Sequence, residues 1–214
     1  MRSCLPDRLA ALGYDRVALH GMIGYLFSRH SWYKTIGFQE IRFHDKFKQE
    51  GLPDCMGAFV GTCDADIASW IGRRLGQSNS RPTFVYWMTL NSHLPVPVPA
   101  QLSSPAPCQA SFSVDPGTPL CSWFQLVVNV HRSVSQLALR DLARPTVFVI
   151  VGDHAPPFGN LAIRDRFSQT DVPYVILLPR SDRAAWRALE ADNRPASGSR
   201  AAKQSRPANK SGGL

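Results

Sequence analysis

The sequence predicts an α/β sandwich, a sheet with helices packed on both faces. Two observations carry this. Three apolar runs, TFVYWMTL (83–90), TVFVIV (146–151) and VPYVILLP (172–179), are rich in β-branched and aromatic residues. The last two are continuous apolar runs, the mark of strands covered on both faces. Between and before them, two longer segments repeat apolar residues at helical spacing. These are Ile67, Ile71 and Leu75 within 64–77, and Leu126, Val130, Val134, Leu137 and Leu142 within 122–143.

The elements follow in order. DRVALH (15–20) reads as a short strand ending at His20. SWYKTIGF (31–38) and FHDKFKQEG (43–51) read as short helices and turns. The helix over 64–77 can be capped by Asp64, whose carboxylate suits the free N–H groups of a first turn. A strand follows at 83–90, then a long loop rich in proline and serine over 94–119. The 122–143 helix leads to strands at 146–151 and 172–179. No internal repeat is visible.

With 214 residues, 44% of them hydrophobic, the chain is long and apolar enough for one domain with a real core. No apolar run approaches the roughly 18 residues of a membrane-spanning helix. The start, MRSCLPDRLAALGYD, lacks the apolar stretch of a signal peptide. The formal charge is +8, and residues 180–214 supply five of it: eight Lys or Arg against Asp182, Glu190 and Asp192. Residues 1–180 are therefore read as the folded domain. Residues 181–214 are read as a basic, disordered tail with little to bury, and no nucleic acid is expected as a partner. Five cysteines stand at 4, 55, 63, 108 and 121, none in a CxxC pair. Cys55 with Cys63, and Cys108 with Cys121, could close small disulfide loops or remain buried thiols, and Cys4 is left over.

Three strand ends carry histidine. TVFVIVGDHAPPF runs from a strand into Gly152, Asp153 and His154, then two prolines. Successive strand residues face opposite ways, but at a strand end, beside a glycine, both side chains can turn to one place. A carboxylate and a neutral imidazole are ligands for a first-row metal. TFVYWMTLNSHLPVP delivers His93, and DRVALHGMIGYLFSR delivers His20 with Arg29 nine residues on. Each histidine alone would be an ordinary core or surface residue. Their recurrence suggests one site at the carboxyl ends of strands, where α/β sheets gather ligands.

These stretches resemble a known family. ALHGMIGYLFSRHSWYKTIGFQE, GTCDADIASWI, FVYWMTLNSHLPV, TVFVIVGDHAPPF and VPYVILLP are similar, in order, to the sulfatase-like part of the alkaline phosphatase superfamily. The subgroup resembled is the lipoteichoic acid synthase, phosphoglycerol transferase and phosphoethanolamine transferase enzymes. The resemblance implies an alkaline-phosphatase-like sandwich of a mostly parallel sheet with helices on both faces, lacking its N-terminal portion. It implies that Asp153 and His154 bind one or two divalent metal ions (Mn, Zn or Ca). It implies that His93 contacts the substrate phosphoryl group and that His20 and Arg29 hold its phosphate or head group. The implied reaction is transfer of a phosphoethanolamine or phosphoglycerol group to a glycan or lipid, in enzymes anchored in the inner membrane with the catalytic domain in the periplasm or outside. Hydrolysis by a sulfatase or phosphodiesterase, and non-catalytic binding of an anionic ligand, are the alternatives. The family's nucleophile falls in a segment preceding SCLPDRLAALGYD, and Thr62 and Thr89 stand in the wrong segments to replace it, so no catalytic residue is identified.

Overall fold

The computed structural model describes residues 4–55, 59–78, 81–96 and 118–179. All elements lie in the first of two compact units, Met1–Leu177, the second being Leu178–Leu214. The expected basic tail, Cys108 and most of the 94–119 loop fall outside the described residues. In chain order the elements are α1 (Leu5–Ala11), β1 (Asp15–His20), a 3-10 turn (Leu26–Ser28), α2 (Arg29–Thr35), β2 (Glu40–Arg42), α3 (His44–Gln49), β3 (Asp54–Cys55), β4 (Gly61–Thr62), α4 (Asp64–Gly76), β5 (Thr83–Met88), α5 (Pro119–Ala138), β6 (Phe148–Val151), α6 (Leu161–Arg164) and β7 (Tyr174–Leu177).

β1 is the centre of a parallel sheet of order β2-β1-β5. It runs parallel to both neighbours, with Val17 opposite Val85 and His20 opposite Met88. Alternation then sorts the side chains to two faces. On one face, Val17, Leu19, Val85 and Trp87 meet Phe47 of α3, Ile67, Trp70 and Ile71 of α4, and Leu137 of α5. On the other, Ala18, Phe84 and Tyr86 meet Tyr33 of α2 with Phe38 and Phe43. The sheet is thus covered on both sides, as the sequence predicts.

Several elements differ from expectation. α1 goes unread in the sequence, although Pro6 sits in its first turn, Asp7 complements its N-terminus, and Gly13 at φ 80° follows its end. α5 starts at Pro119, capped by the Thr118 hydroxyl, and ends at Ala138 rather than spanning 122–143. Asp64 does not cap α4. Cys63 holds the N-cap position, and the Asp64 carboxylate is drawn to backbone N–H groups of another segment. β6 and β7 are not strands covered on both faces, nor do they join the parallel sheet. Among the described residues they pair only with each other, antiparallel. Phe148 packs toward the α4–α5 core, while Val149 (61% exposed), Val151 (58%), Tyr174 (70%) and Ile176 (43%) form an apolar face open to water.

Candidate functional site

β1 and β5 end side by side, so their parallel register brings the segments carrying His20 and His93 to the same sheet edge. His20 is 3% exposed. Its Nδ1 lies 3.0 Å from the Met88 carbonyl, which can only accept, so Nδ1 carries the proton. Nε2 is then left as an acceptor, and the Arg29 guanidinium donates to it at 3.4 Å. Burial, and the charges of Arg29 and His93, hold the His20 imidazole below its usual range, against the opposing Met88 bond. A neutral, fully engaged His20 is therefore a support for Arg29. The half-buried Arg29 also sits 4.8 Å over the Phe27 ring. Phe27 and Ser28 adopt φ of 56° and 53°, left-handed values that cost a non-glycine residue about 1–2 kcal/mol each. They turn the chain sharply into α2, whose first residue is Arg29.

His93 is exposed, with its ring edge-on to Phe59 at 5.3 Å between centroids. Its Nδ1 bonds the Leu94 carbonyl. Asp153 and His154 lie just past β6 and are largely exposed, with side chains 86% and 55% accessible. His154 Nδ1 faces the Ala155 carbonyl at 2.8 Å, which places the proton there. Its Nε2 lone pair then faces an Asp153 carboxylate oxygen at 3.4 Å. Two acceptors so placed can share a cation. No hydrogen bond or ion pair joins Asp153 or His154 to His20, Arg29 or His93 among the described residues. Burial raises the hydroxyl pKa of Tyr86 on β5 most, Asp153 raises it further, and Tyr33 and Arg29 lower it. Among the described residues no group of three or more His, Cys, Asp or Glu converges as a metal centre.

A second constellation goes unseen in the sequence. Thr62 Oγ1 lies 3.0 Å from His44 Nδ1, and His44 Nε2 lies 3.3 Å from Asp54. The order of hydroxyl, imidazole and carboxylate is that of a hydrolytic triad, but Thr62 is fully buried and no substrate can reach it. A cavity of about 380 Å³ lined by His30, Lys34, Gln39, Ile41, Phe43, Asp45 and Lys46 contains none of the predicted site residues.

The loop after β5 is held by Asp64. Its carboxylate accepts from the N–H groups of Leu90 at 3.0 Å and Asn91 at 2.7 Å, and the side-chain amide oxygen Oδ1 of Asn91 accepts from the Asp64 N–H at 2.7 Å. Burial pushes the Asp64 carboxyl up to about 6, against the Asn91 and Leu90 N–H groups. The folded value lies above the unfolded one, so the folded state holds this proton more tightly. Its contribution to stability is fully present below about pH 4 and is lost as pH rises through about 6. Unfolding free energies of the wild type and Asp64→Asn, taken from urea curves, should therefore diverge across this window by up to ~3 kcal/mol. Parallel pH profiles would refute the assignment.

The chain resembles known structures across most of its length. It matches the lipoteichoic acid synthase LtaP from Listeria monocytogenes at a TM-score of 0.59 and 14% identity, over 82% of this chain and 46% of that one. A protein of the alkaline phosphatase superfamily from Vibrio parahaemolyticus matches at 0.56 and 16%, over 82% and 41%. The phosphoglycerol transferase GacH from Streptococcus pyogenes, in complex with sn-glycerol-1-phosphate, matches at 0.55 and 22%, over 77% and 43%. The chain spans less than half the length of each. The shared fold is the alkaline-phosphatase-like one. No curated protein sequence matches. The family model described as Sulfatase matches residues 2–202, nearly the whole chain. On that match, the chain belongs to the Sulfatase family.

Proposed function

We propose that the chain forms the phosphoryl-recognition part of a sulfatase-like enzyme that transfers a phosphoglycerol or phosphoethanolamine group to a glycan or lipid acceptor. One observation carries this reading: a half-buried guanidinium, fixed by a neutral buried histidine, stands at the carboxyl ends of parallel strands with a second, exposed histidine nearby. Arg29 offers the planar fork that binds two phosphate oxygens, and His20 keeps it aimed. His93, with Nδ1 engaged by the Leu94 carbonyl, donates to a phosphoryl oxygen at the same edge through Nε2 when the ring carries both protons. The names of two structural neighbours, a lipoteichoic acid synthase and a phosphoglycerol transferase, support this substrate class.

Asp153 and His154 fit a divalent ion as part of its ligand set. The Ala155 carbonyl orients the imidazole as a backbone carbonyl commonly orients a metal-ligating histidine, leaving Nε2 and the carboxylate adjacent. When bound, such an ion neutralises charge on a transferring phosphoryl group and activates an attached nucleophile. Thr62 cannot be that nucleophile because its hydroxyl is sealed in the core. The Cys55–Cys63 disulfide agrees with an oxidising compartment, as for a domain in the periplasm or outside the cell. No described helix is long and apolar enough to cross a membrane.

The test is calorimetric titration of the full chain with sn-glycerol-1-phosphate and, separately, with Mn²⁺. Arg29→Ala should weaken phosphate binding by about 10–100-fold, the worth of charged hydrogen bonds. Asp153→Ala should abolish Mn²⁺ binding and leave Arg29 in place. Equal phosphate binding in wild type and Arg29→Ala would overturn the recognition role. Equal Mn²⁺ binding in wild type and Asp153→Ala would overturn the metal assignment.

A further inference from the structure

The segment that carries His93 is held by more than its own strand. Asp64 and Asn91 clamp it reciprocally, as described above. The Asn91 side-chain amide also donates to Cys55 Sγ at 3.3 Å. Cys55 is one end of the disulfide to Cys63, at sequence separation 8 and 4.8 Å between Cα atoms. Trp123 of α5 adds a bond from its indole N–H to the Ser92 carbonyl at 3.0 Å. Most directly, Phe59, inside the disulfide-closed loop, sets its ring edge-on against the His93 imidazole. The same loop reaches the other strand end. The Thr62 N–H donates to the Gly21 carbonyl at 2.7 Å, one residue past His20. One covalently closed loop therefore touches both strand ends that carry candidate phosphate-binding groups.

We propose that the Cys55–Cys63 loop, through Phe59 and with Asn91 and Asp64 as its clamp, is a positioning element for His93. Phe59, Asn91 and Asp64 touch no reacting atom. They restrict where the imidazole can stand, which matters because an exposed ring on a loop otherwise samples several rotamers, each costing affinity. Cleaving the disulfide releases this restraint. A dithiol reductant supplies two electrons and two protons, the S–S bond breaks to two thiols, and the dithiol closes to its own disulfide. The amide of Asn91 then faces a mobile thiol, and Phe59 is no longer held against His93. The inference rests on the proposed role of His93 in phosphoryl recognition, but the placement of the ring is measurable by itself.

The experiment uses the full chain with isotopically labelled histidine. The His93 imidazole resonances are followed by NMR, and affinity for sn-glycerol-1-phosphate is measured in parallel. The arms are the oxidised wild type, the wild type with dithiothreitol, the paired substitution Cys55→Ser with Cys63→Ser, Phe59→Leu, Asn91→Ala and Phe59→Tyr. Val134→Ala, buried on α5, serves as a control that loses stability away from the loop. Reduction, the paired serines, Phe59→Leu and Asn91→Ala should each move the His93 resonances and weaken binding by about tenfold. Phe59→Tyr, which keeps the ring contact, should restore both, and Val134→Ala should leave both unchanged. Resonances and affinity that stay fixed in Phe59→Leu and Asn91→Ala overturn the proposal. If the resonances move although the wild type never binds the glycerol phosphate, positioning stands and the phosphoryl reading falls.

Discussion

Tyr33→Ala is expected to destabilise the protein by about 3–5 kcal/mol and to release Arg29 from its station. Tyr33 is fully buried and is the hub of the aromatic layer under the sheet. Its ring lies 5.6 Å from Phe38, 5.9 Å from Phe43 in a stacked arrangement, and 5.9 Å from Tyr86 edge-on. Alanine leaves a cavity that three rings on separate segments cannot collapse into, so the cost falls at the upper end for such truncations. The functional consequence follows from spacing. Arg29 and Tyr33 are four residues apart in α2, one turn along the same face. α2 has only seven residues and no intrinsic stability worth counting, so its anchor decides its position. Urea unfolding gives the stability loss, and titration with sn-glycerol-1-phosphate reports on Arg29. Tyr33→Phe, which keeps the ring, should retain most of both. A loss under about 1 kcal/mol in Tyr33→Ala would show that the layer is looser than its geometry implies.

Gly61→Ala should be nearly as damaging, for the opposite reason. A methyl group built on Gly61 would stand 2.3 Å from the Gly21 carbonyl oxygen and 2.7 Å from a Leu90 methyl. One on Gly21 would stand 2.4 Å from the Thr62 carbonyl oxygen. The two contacts with carbonyl oxygens are with backbone, which no rotamer change relieves. The β3–β4 hairpin must therefore move away from the end of β1, breaking the bond between Thr62 and Gly21. The expected loss is on the order of 3 kcal/mol, the upper range for overpacked sites. Gly21→Ala should match it. The two together should cost clearly less than their sum, because either one already opens the same contact. Thermal melts of the two single variants and the pair would check this, and simple additivity would show that the strand end and the hairpin are not in fact coupled.

Much of this architecture was legible in the chain. The runs at 15–20 and 83–90 gave β1 and β5 because apolar, branched and aromatic residues leave few alternatives there. Ile67, Ile71 and Leu75 placed α4. The pairs β2 with β1 and β3 with β4 were not legible, because strands of two or three residues exist only through their partners. The strand ends bearing His20 and His93 could be read, but not that His20 is buried and spends both nitrogens on Met88 and Arg29. That depends on a contact between residues 68 apart. Asp64 shows the limit most clearly. Its position before an apolar stripe reads as a helix cap, yet its carboxylate serves a loop 26 and 27 residues away. A carboxylate goes where the most buried N–H groups need an acceptor, and local sequence does not say where those are.

The open face of β6 and β7 has a calorimetric meaning. Heat capacity rises on unfolding because apolar surface becomes hydrated. Val149, Val151, Tyr174 and Ile176 are already more than half hydrated on average in the folded chain, so they add correspondingly less to that increment. The curve of stability against temperature is correspondingly flatter than the chain's length implies. The same surface holds its heat-capacity change in reserve, and whatever covers it does so with a negative change that scales with the area removed from water.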